Sequence, residues 1–191
     1  MAVSSTMLEL GTPAPDFALK DVTSGETISL QAFRQAQALL VMFICNHCPY
    51  VKHLKQALVL YAHEYMPRHV GVVAINANSL QTHPQDGPEY MKTDAAQFGY
   101  PFPYVFDETQ QVAKAYKAAC TPDFFLFDSS HKLVYRGQFD TSRPGNSQPV
   151  TGNDLRTATD QVLAGTPVTV DQTPSIGCNI KWTPGNEPDY F

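Results

Sequence analysis

Residues 39–58, LLVMFICNHCPYVKHLKQAL, set two cysteines between a wholly apolar run and a helical pattern. The run itself, ALLVMFIC from Ala38 to Cys45, is short, continuous and rich in β-formers, which predicts a central strand buried on both faces. After Pro49, the residues Val51, Leu54, Leu58, Tyr61 and Tyr65 recur at helical spacing, and Pro67 ends the helix. Cys45 therefore closes a strand and Cys48 opens a helix, where unpaired N–H groups and the positive end of the helix dipole favour a thiolate. Cysteines of C-x-x-C motifs at helix starts have pKa values of roughly 3.5–7.5 rather than ~8.5. The spacing predicts a redox dithiol in which Cys45 attacks a substrate disulfide and Cys48 resolves the mixed disulfide. His47, between the two, is expected to favour the thiolate and make the disulfide more oxidising. The plain alternative is a strand–helix corner where both thiols merely pack, since Cys is among the most buried residue types.

Around this centre the chain alternates strands and helices. VGVVAIN (Val70–Asn76) reads as a second buried strand, residues 89–98 as an amphipathic helix, and Glu108–Ala119 as a further helix. FFLFD and KLVYRGQFD, joined by the polar turn SSH, read as an antiparallel hairpin. NDLRTATDQVLAG reads as a helix capped at Asn153 or Asp154 and stopped by Gly165. The β-α-β start implies parallel strands, so the expected fold is α/β: a mixed central sheet with helices on both faces. Residues 1–165 form the expected domain, and the Pro-rich extension 166–191 is expected to pack on it.

With 191 residues, 43% of them apolar, the chain can bury a full core. Its net charge of −5, with both signs mixed along the sequence, offers no basic patch for nucleic acid and no polybasic segment for a membrane surface. The N-terminal residues lack the cationic start and apolar core of a secretory signal, and no apolar run approaches the ~20 residues of a membrane span. A cytoplasmic location is the expectation. Four cysteines in a reducing compartment seldom form structural disulfides, which favours thiol chemistry or metal binding.

The chain resembles the thioredoxin superfamily, and most closely its peroxiredoxin-like AhpC/TSA (redoxin) branch. The likeness runs from about Leu10 to Gly165. It rests on LGTPAPDFALKDVTSGETISLQAF as the N-terminal hairpin lead-in, on CNHC at the active-site position, and on FPYVFDETQQVAKAYKAACTPDFFLFDSSHKLVYRGQFD leading to the closing hairpin. The resemblance implies a cis peptide in CTPDF, with Thr121 and Pro122 presenting backbone to a bound substrate beside the dithiol. A His directly before the second cysteine, as His47 stands here, is a feature of the more oxidising relatives. The chain departs from thioredoxins in carrying Ile44 before the first cysteine, where they have Trp, and Leu39 where they bury an acid; proton transfer then falls to His47, Asp123 or water. Placing Cys48 on the peroxiredoxin P-x-x-x-T-x-x-C motif puts Val41 and Cys45 at the Pro and Thr positions.

Cys120 lies two residues before Pro122, close to the dithiol if the resemblance holds. Cys178, four residues from Trp182 in the irregular tail, suggests that the tail folds back over the site, where Cys178 pairs with Cys120 or relays electrons to the dithiol. The alternative is that both are small hydrophobes. Cys45, His47, Cys48 and His53 carry enough sulfur and nitrogen for zinc or copper(I), but they form only one pair of ligands at metal spacing; no metal ligand is assigned. Asp86, Glu89 and Asp94 read as solvated, and Arg136 with Asp140 as a cross-strand pair. The function expected is thiol–disulfide exchange without a cofactor, acting on protein or small-molecule disulfides with an unidentified electron donor. The rivals are a thiol peroxidase consuming peroxides and a protein that binds a metal or a peptide.

Overall fold

The computed structural model describes residues 2–190. β4 (Ala38–Phe43) is buried at every position, and its alternating side chains split the interior in two. Ala38, Leu40 and Met42 face one core with Val51, Leu54 and Leu58 of α1 (Pro49–Tyr65), Met91 of α2 (Pro88–Phe98) and Leu155 of α4 (Asn153–Leu163). Leu39, Val41 and Phe43 face the other, with Phe17, Tyr116 and Ala113 of α3 (Gln111–Ala115). The period of two along a strand thus places helices on both faces of one sheet.

That sheet has seven strands, in the order β3 (Thr27–Ser29), β2 (Ala18–Asp21), β6 (Tyr104–Phe106), β5 (Val70–Asn76), β4, β8 (Asp123–Asp128), β9 (Leu133–Gly137). β4, β5 and β6 are parallel; the outer pairings are antiparallel, so the sheet is mixed. A second, three-stranded antiparallel sheet joins β1 (Ala2–Ser4), β10 (Ile176–Asn179) and β7 (Cys120–Thr121). No helix among the described residues is long and apolar enough to cross a membrane.

Three expectations are corrected. The helix expected over Glu108–Ala119 shrinks to Gln111–Ala115. Gln110 and Lys117 both take left-handed backbone (φ 62° and 49°), which bounds the helix, and the chain then straightens so that Cys120 and Thr121 can pair with β10. The N-cap of α4 is Gly152, at φ 68°, not Asn153 or Asp154. The Asp140 carboxylate accepts from the Thr151 and Gly152 amides at 2.7 and 2.6 Å, and a Cβ on Gly152 would meet the Phe139 ring at 2.4 Å. Asp140 is therefore a loop anchor, and Arg136 pairs instead with Asp123.

The segment 176–190 is fastened along its length. Ile180 and Trp182 are 1% and 6% exposed within the second core. The Lys181 amide donates to Asn78 Oδ1, and its carbonyl accepts from Ser79 N. The Tyr190 hydroxyl donates to the carbonyls of Ala113 and Ala118.

Candidate active site

Cys45 follows the end of β4, and Cys48 is the N-cap of α1, with Pro49 in the first helical position where its missing N–H is no loss. Both cysteines are buried, at 1% and 0% exposure. The Thr121–Pro122 peptide is cis and lies against them. Thr121 Oγ1 is 3.4 Å from Cys45 Sγ, and the Thr121 carbonyl is 3.1 Å from Cys48 Sγ, where it accepts from that thiol when protonated. All four cysteines are free thiols.

The two sulfurs sit in unlike surroundings. Cys48 is pushed down to about 4: the Cys45 thiol donates to it, and the Cys178 thiol, the Val51 amide in the first turn of α1 and the Thr121 hydroxyl add to that against the opposing effect of burial. Cys45 moves the other way, well above the ordinary thiol value, because it shares its proton with Cys48, is buried and faces the charge of Asp86.

The loop between the cysteines is clamped by residues distant in sequence. Asp86, 0% exposed, ends the turn after β5 and acts as a hub. Its carboxylate accepts from Asn46 N at 3.0 Å, His47 N at 3.3 Å and Asn78 Nδ2 at 2.8 Å, and pairs with His47 Nδ1 at 2.5 Å. Lys55, 2% exposed, donates to the Asn46 carbonyl and to Asp94, and the Tyr104 hydroxyl donates to Asn46 Oδ1. The sequence suggested that Asp86, Glu89 and Asp94 are solvated; Glu89 is exposed, whereas Asp86 is buried and Asp94 only partly exposed, each meeting donors. Asn46, Lys55 and Tyr104 were not singled out by the sequence. The usable signal lay in topology: Asp86 follows the C-terminal end of a parallel strand beside β4, where loops converge on the sites of α/β sheets.

His47 Nδ1 lies 3.9 Å from Cys45 Sγ, and its ring stacks on His83 with centroids 5.1 Å apart. Cys45 Sγ, His47 Nδ1 and an Asp86 oxygen fall within 4.8 Å of one another, the one group of possible metal ligands among the described residues. Two ligand atoms on one tetrahedral zinc stand about 3.3 Å apart, given bond lengths near 2.0 Å. The 2.5 Å contact between His47 and Asp86 is of hydrogen-bond length and would have to open to admit an ion. His53 is outside the group; it lines a narrow crevice with Tyr50, Leu54, Pro122, Phe124 and Ile176.

The register of the small sheet sorts the remaining cysteines. Cys178 stands directly across from Thr121, and Asn179 across from Cys120. Neighbours along a strand point to opposite faces, so Cys178 shares the face of Thr121 and the dithiol while Cys120 turns away. Cys178 is half-buried and its thiol interacts with that of Cys48. Cys120 Sγ faces the carbonyls of Pro122 and Ser175 at 3.4 and 3.9 Å. The register thus puts Cys178 on the face of the dithiol and Cys120 on the opposite face.

The AhpC/TSA family profile matches residues 10–136. No curated protein matches the chain. Among solved structures, an uncharacterized conserved protein of Geobacillus kaustophilus is 55% identical, with a TM-score of 0.95 over 96% of this chain and 97% of its own. A hypothetical protein of Sinorhizobium meliloti 1021 is 50% identical, with a TM-score of 0.92 over 94% of this chain and 98% of its own. At 19% identity, the thioredoxin domain of a Bacteroides vulgatus thiol-disulfide oxidoreductase shares the fold, with a TM-score of 0.57 over 68% of this chain and 89% of its own. With a strand, a cysteine loop and a helix start arranged around a cis proline, and a family match over more than half of its length, the chain belongs to the AhpC/TSA family, a redox branch of the thioredoxin superfamily.

Proposed function

We propose that the protein is a thiol–disulfide oxidoreductase working through Cys45 and Cys48. The observation that carries this reading is geometric: two thiols flank one tight loop at a helix N-terminus, with a cis Thr-Pro peptide against both, its hydroxyl 3.4 Å from Cys45 Sγ and its carbonyl 3.1 Å from Cys48 Sγ. Chain order made Cys45 the attacking sulfur; the surroundings of Cys48, at the helix N-terminus, favour its thiolate, and in this reading Cys48 attacks and Cys45 resolves.

Cys48 thiolate attacks a substrate disulfide; a mixed disulfide forms and the first substrate thiolate leaves. Cys45, with the Thr121 hydroxyl at 3.4 Å and the His47 ring at 3.9 Å as nearby polar groups, then attacks Cys48 Sγ, and its proton goes to the second substrate thiolate as that departs. The second substrate thiolate leaves and a Cys45–Cys48 disulfide remains, so two electrons have passed to the substrate. No cofactor enters these steps. The reverse sequence oxidises a substrate dithiol, and the depressed Cys48 favours that direction because a stable thiolate leaves readily.

The test is a redox titration in glutathione buffers with mass spectrometric mapping of the pairs. A reversible Cys45–Cys48 disulfide supports the reading. Thiols that remain reduced across the range overturn it, and rapid disulfide formation with hydrogen peroxide alone favours the peroxidase.

A further inference from the structure

Cys45 and Cys48 are 1% and 0% exposed, so neither sulfur is open to a protein-sized partner in this conformation. The edge beside the cis proline is also filled: β10 pairs there, antiparallel, with Thr121. Gly177 comes so close that a Cβ at its position would lie 2.0 Å from the Thr121 carbonyl oxygen, an approach that only glycine permits. One residue further on, Cys178 faces the dithiol, at the register position opposite Thr121, whose own carbonyl touches Cys48 Sγ at 3.1 Å. Cys178 is the one cysteine of the four that keeps partial exposure.

We propose that β10 is a built-in substrate strand and Cys178 a third redox thiol, which takes the disulfide from Cys48 and presents it to partner thiols at the surface. This rests on the exchange reading above. Cys178 attacks Cys48 Sγ of the Cys45–Cys48 disulfide; a Cys48–Cys178 bond forms, the bond to Cys45 breaks, and the proton lost by Cys178 ends on Cys45. A partner thiolate then attacks Cys178, and Cys48 leaves as a thiolate. A second partner thiol displaces Cys178 from the mixed disulfide and takes up the new bond, while Cys178 recovers a proton. One protein disulfide and two partner thiols become a protein dithiol and one partner disulfide.

The two elevated thiols fit these steps. Cys178 is pushed up to about 11 by burial and by the neighbouring Cys48; the second influence disappears once Cys48 is in a disulfide, which is when Cys178 has to attack.

The test uses Cys45→Ser, oxidised with stoichiometric diamide and mapped by mass spectrometry without reduction. The expected product is an intramolecular Cys48–Cys178 disulfide in most molecules, with Cys120 still free. Monomers left reduced, or linked only between molecules through Cys48, overturn the proposal. Cys178→Ser in the otherwise native chain gives a second reading that does not depend on the first variant folding. It is expected to form the Cys45–Cys48 disulfide in the titration above and to pass it to a reduced peptide at least tenfold more slowly; an unchanged rate overturns the relay. Absence of any Cys45–Cys48 disulfide in the wild-type protein is a different result and strikes the exchange reading itself.

Discussion

The depressed Cys48 makes a quantitative prediction about how the dithiol responds to pH. An ordinary thiol ionises near 8.5, whereas the folded dyad sheds its first proton near 4. Between those values the unfolded reduced chain holds a proton that the folded one has lost, so stability of the reduced form rises with pH across the window and is lost as pH falls through 4. At pH 7 the gain is about 4 kcal/mol, three of the shifted pH units at 1.36 kcal/mol each. Cys45 and Cys178 are both raised, are neutral at pH 7 folded or unfolded, and add nothing there. The disulfide form has no thiolate to stabilise, so the same difference makes the couple about 90 mV more oxidising than an unperturbed dithiol. The sharpest assay is the slope of the potential against pH between 5 and 8. If one thiolate and one thiol are oxidised, two electrons leave with one proton and the slope is about 30 mV per pH unit. A slope near 59 mV per unit means that both sulfurs carry protons over this range. That result would refute the assignment of the thiolate to Cys48, and with it the order of attack.

Two further perturbations test the frame around the dithiol. Asp86→Asn leaves one acceptor oxygen and one donor amide where four donors converge, so at least one buried donor faces another; a loss of about 2–4 kcal/mol in urea unfolding is expected, and a loss below ~0.5 kcal/mol would show that the hub does not hold the loop. Gly177→Ala drives a methyl into the Thr121 carbonyl, so β10 has to shift at a cost of about 1–3 kcal/mol; hydrogen exchange at residues 176–179 is expected to quicken at least tenfold, and unchanged protection would mean that the close approach is not maintained in solution.

What the sequence made legible follows from the range of the interactions involved. ALLVMFIC and VGVVAIN identify themselves because a strand buried on both faces needs an uninterrupted apolar run. The cysteine spacing and the TP dipeptide are local patterns, so they too could be read, with the family likeness supplying the cis proline. β1, β7 and β10 are two to four residues long and owe their existence to partners more than fifty residues away; IGCN inside a Pro-rich tail has no period to detect. Gln110 and Lys117 bound α3 in left-handed backbone without being glycine, so composition gave no warning. Asp86 resembled any loop acid because its burial depends on the Asn46, His47 and Asn78 donors that surround it only in the fold. Spacing alone does not show what surrounds each sulfur, because Thr121 and Cys178, which lie close to Cys48, are far along the chain.

An open strand edge invites pairing with other chains, and proteins usually cover it. Here the covering strand lies beside Cys45 and Cys48, which limits how a substrate of that pair can be reached. An incoming peptide that sought the edge of Thr121 would have to strip off β10, and β10 is continuous with Ile180 and Trp182, both buried in the second core. Re-exposing side chains of that size costs on the order of 1.5–3 kcal/mol each, before the backbone bonds of residues 178–181 are counted. A single extended peptide has no comparable pair of anchors to offer in exchange. Displacing the strand is therefore the costlier route, and passing electrons through a thiol already carried by the strand avoids it. The same reasoning explains why Cys178 and Cys120 differ in kind although both are close to the cis proline: in an antiparallel pair only the residue sharing the face of Thr121 can reach Cys48, and that residue is Cys178.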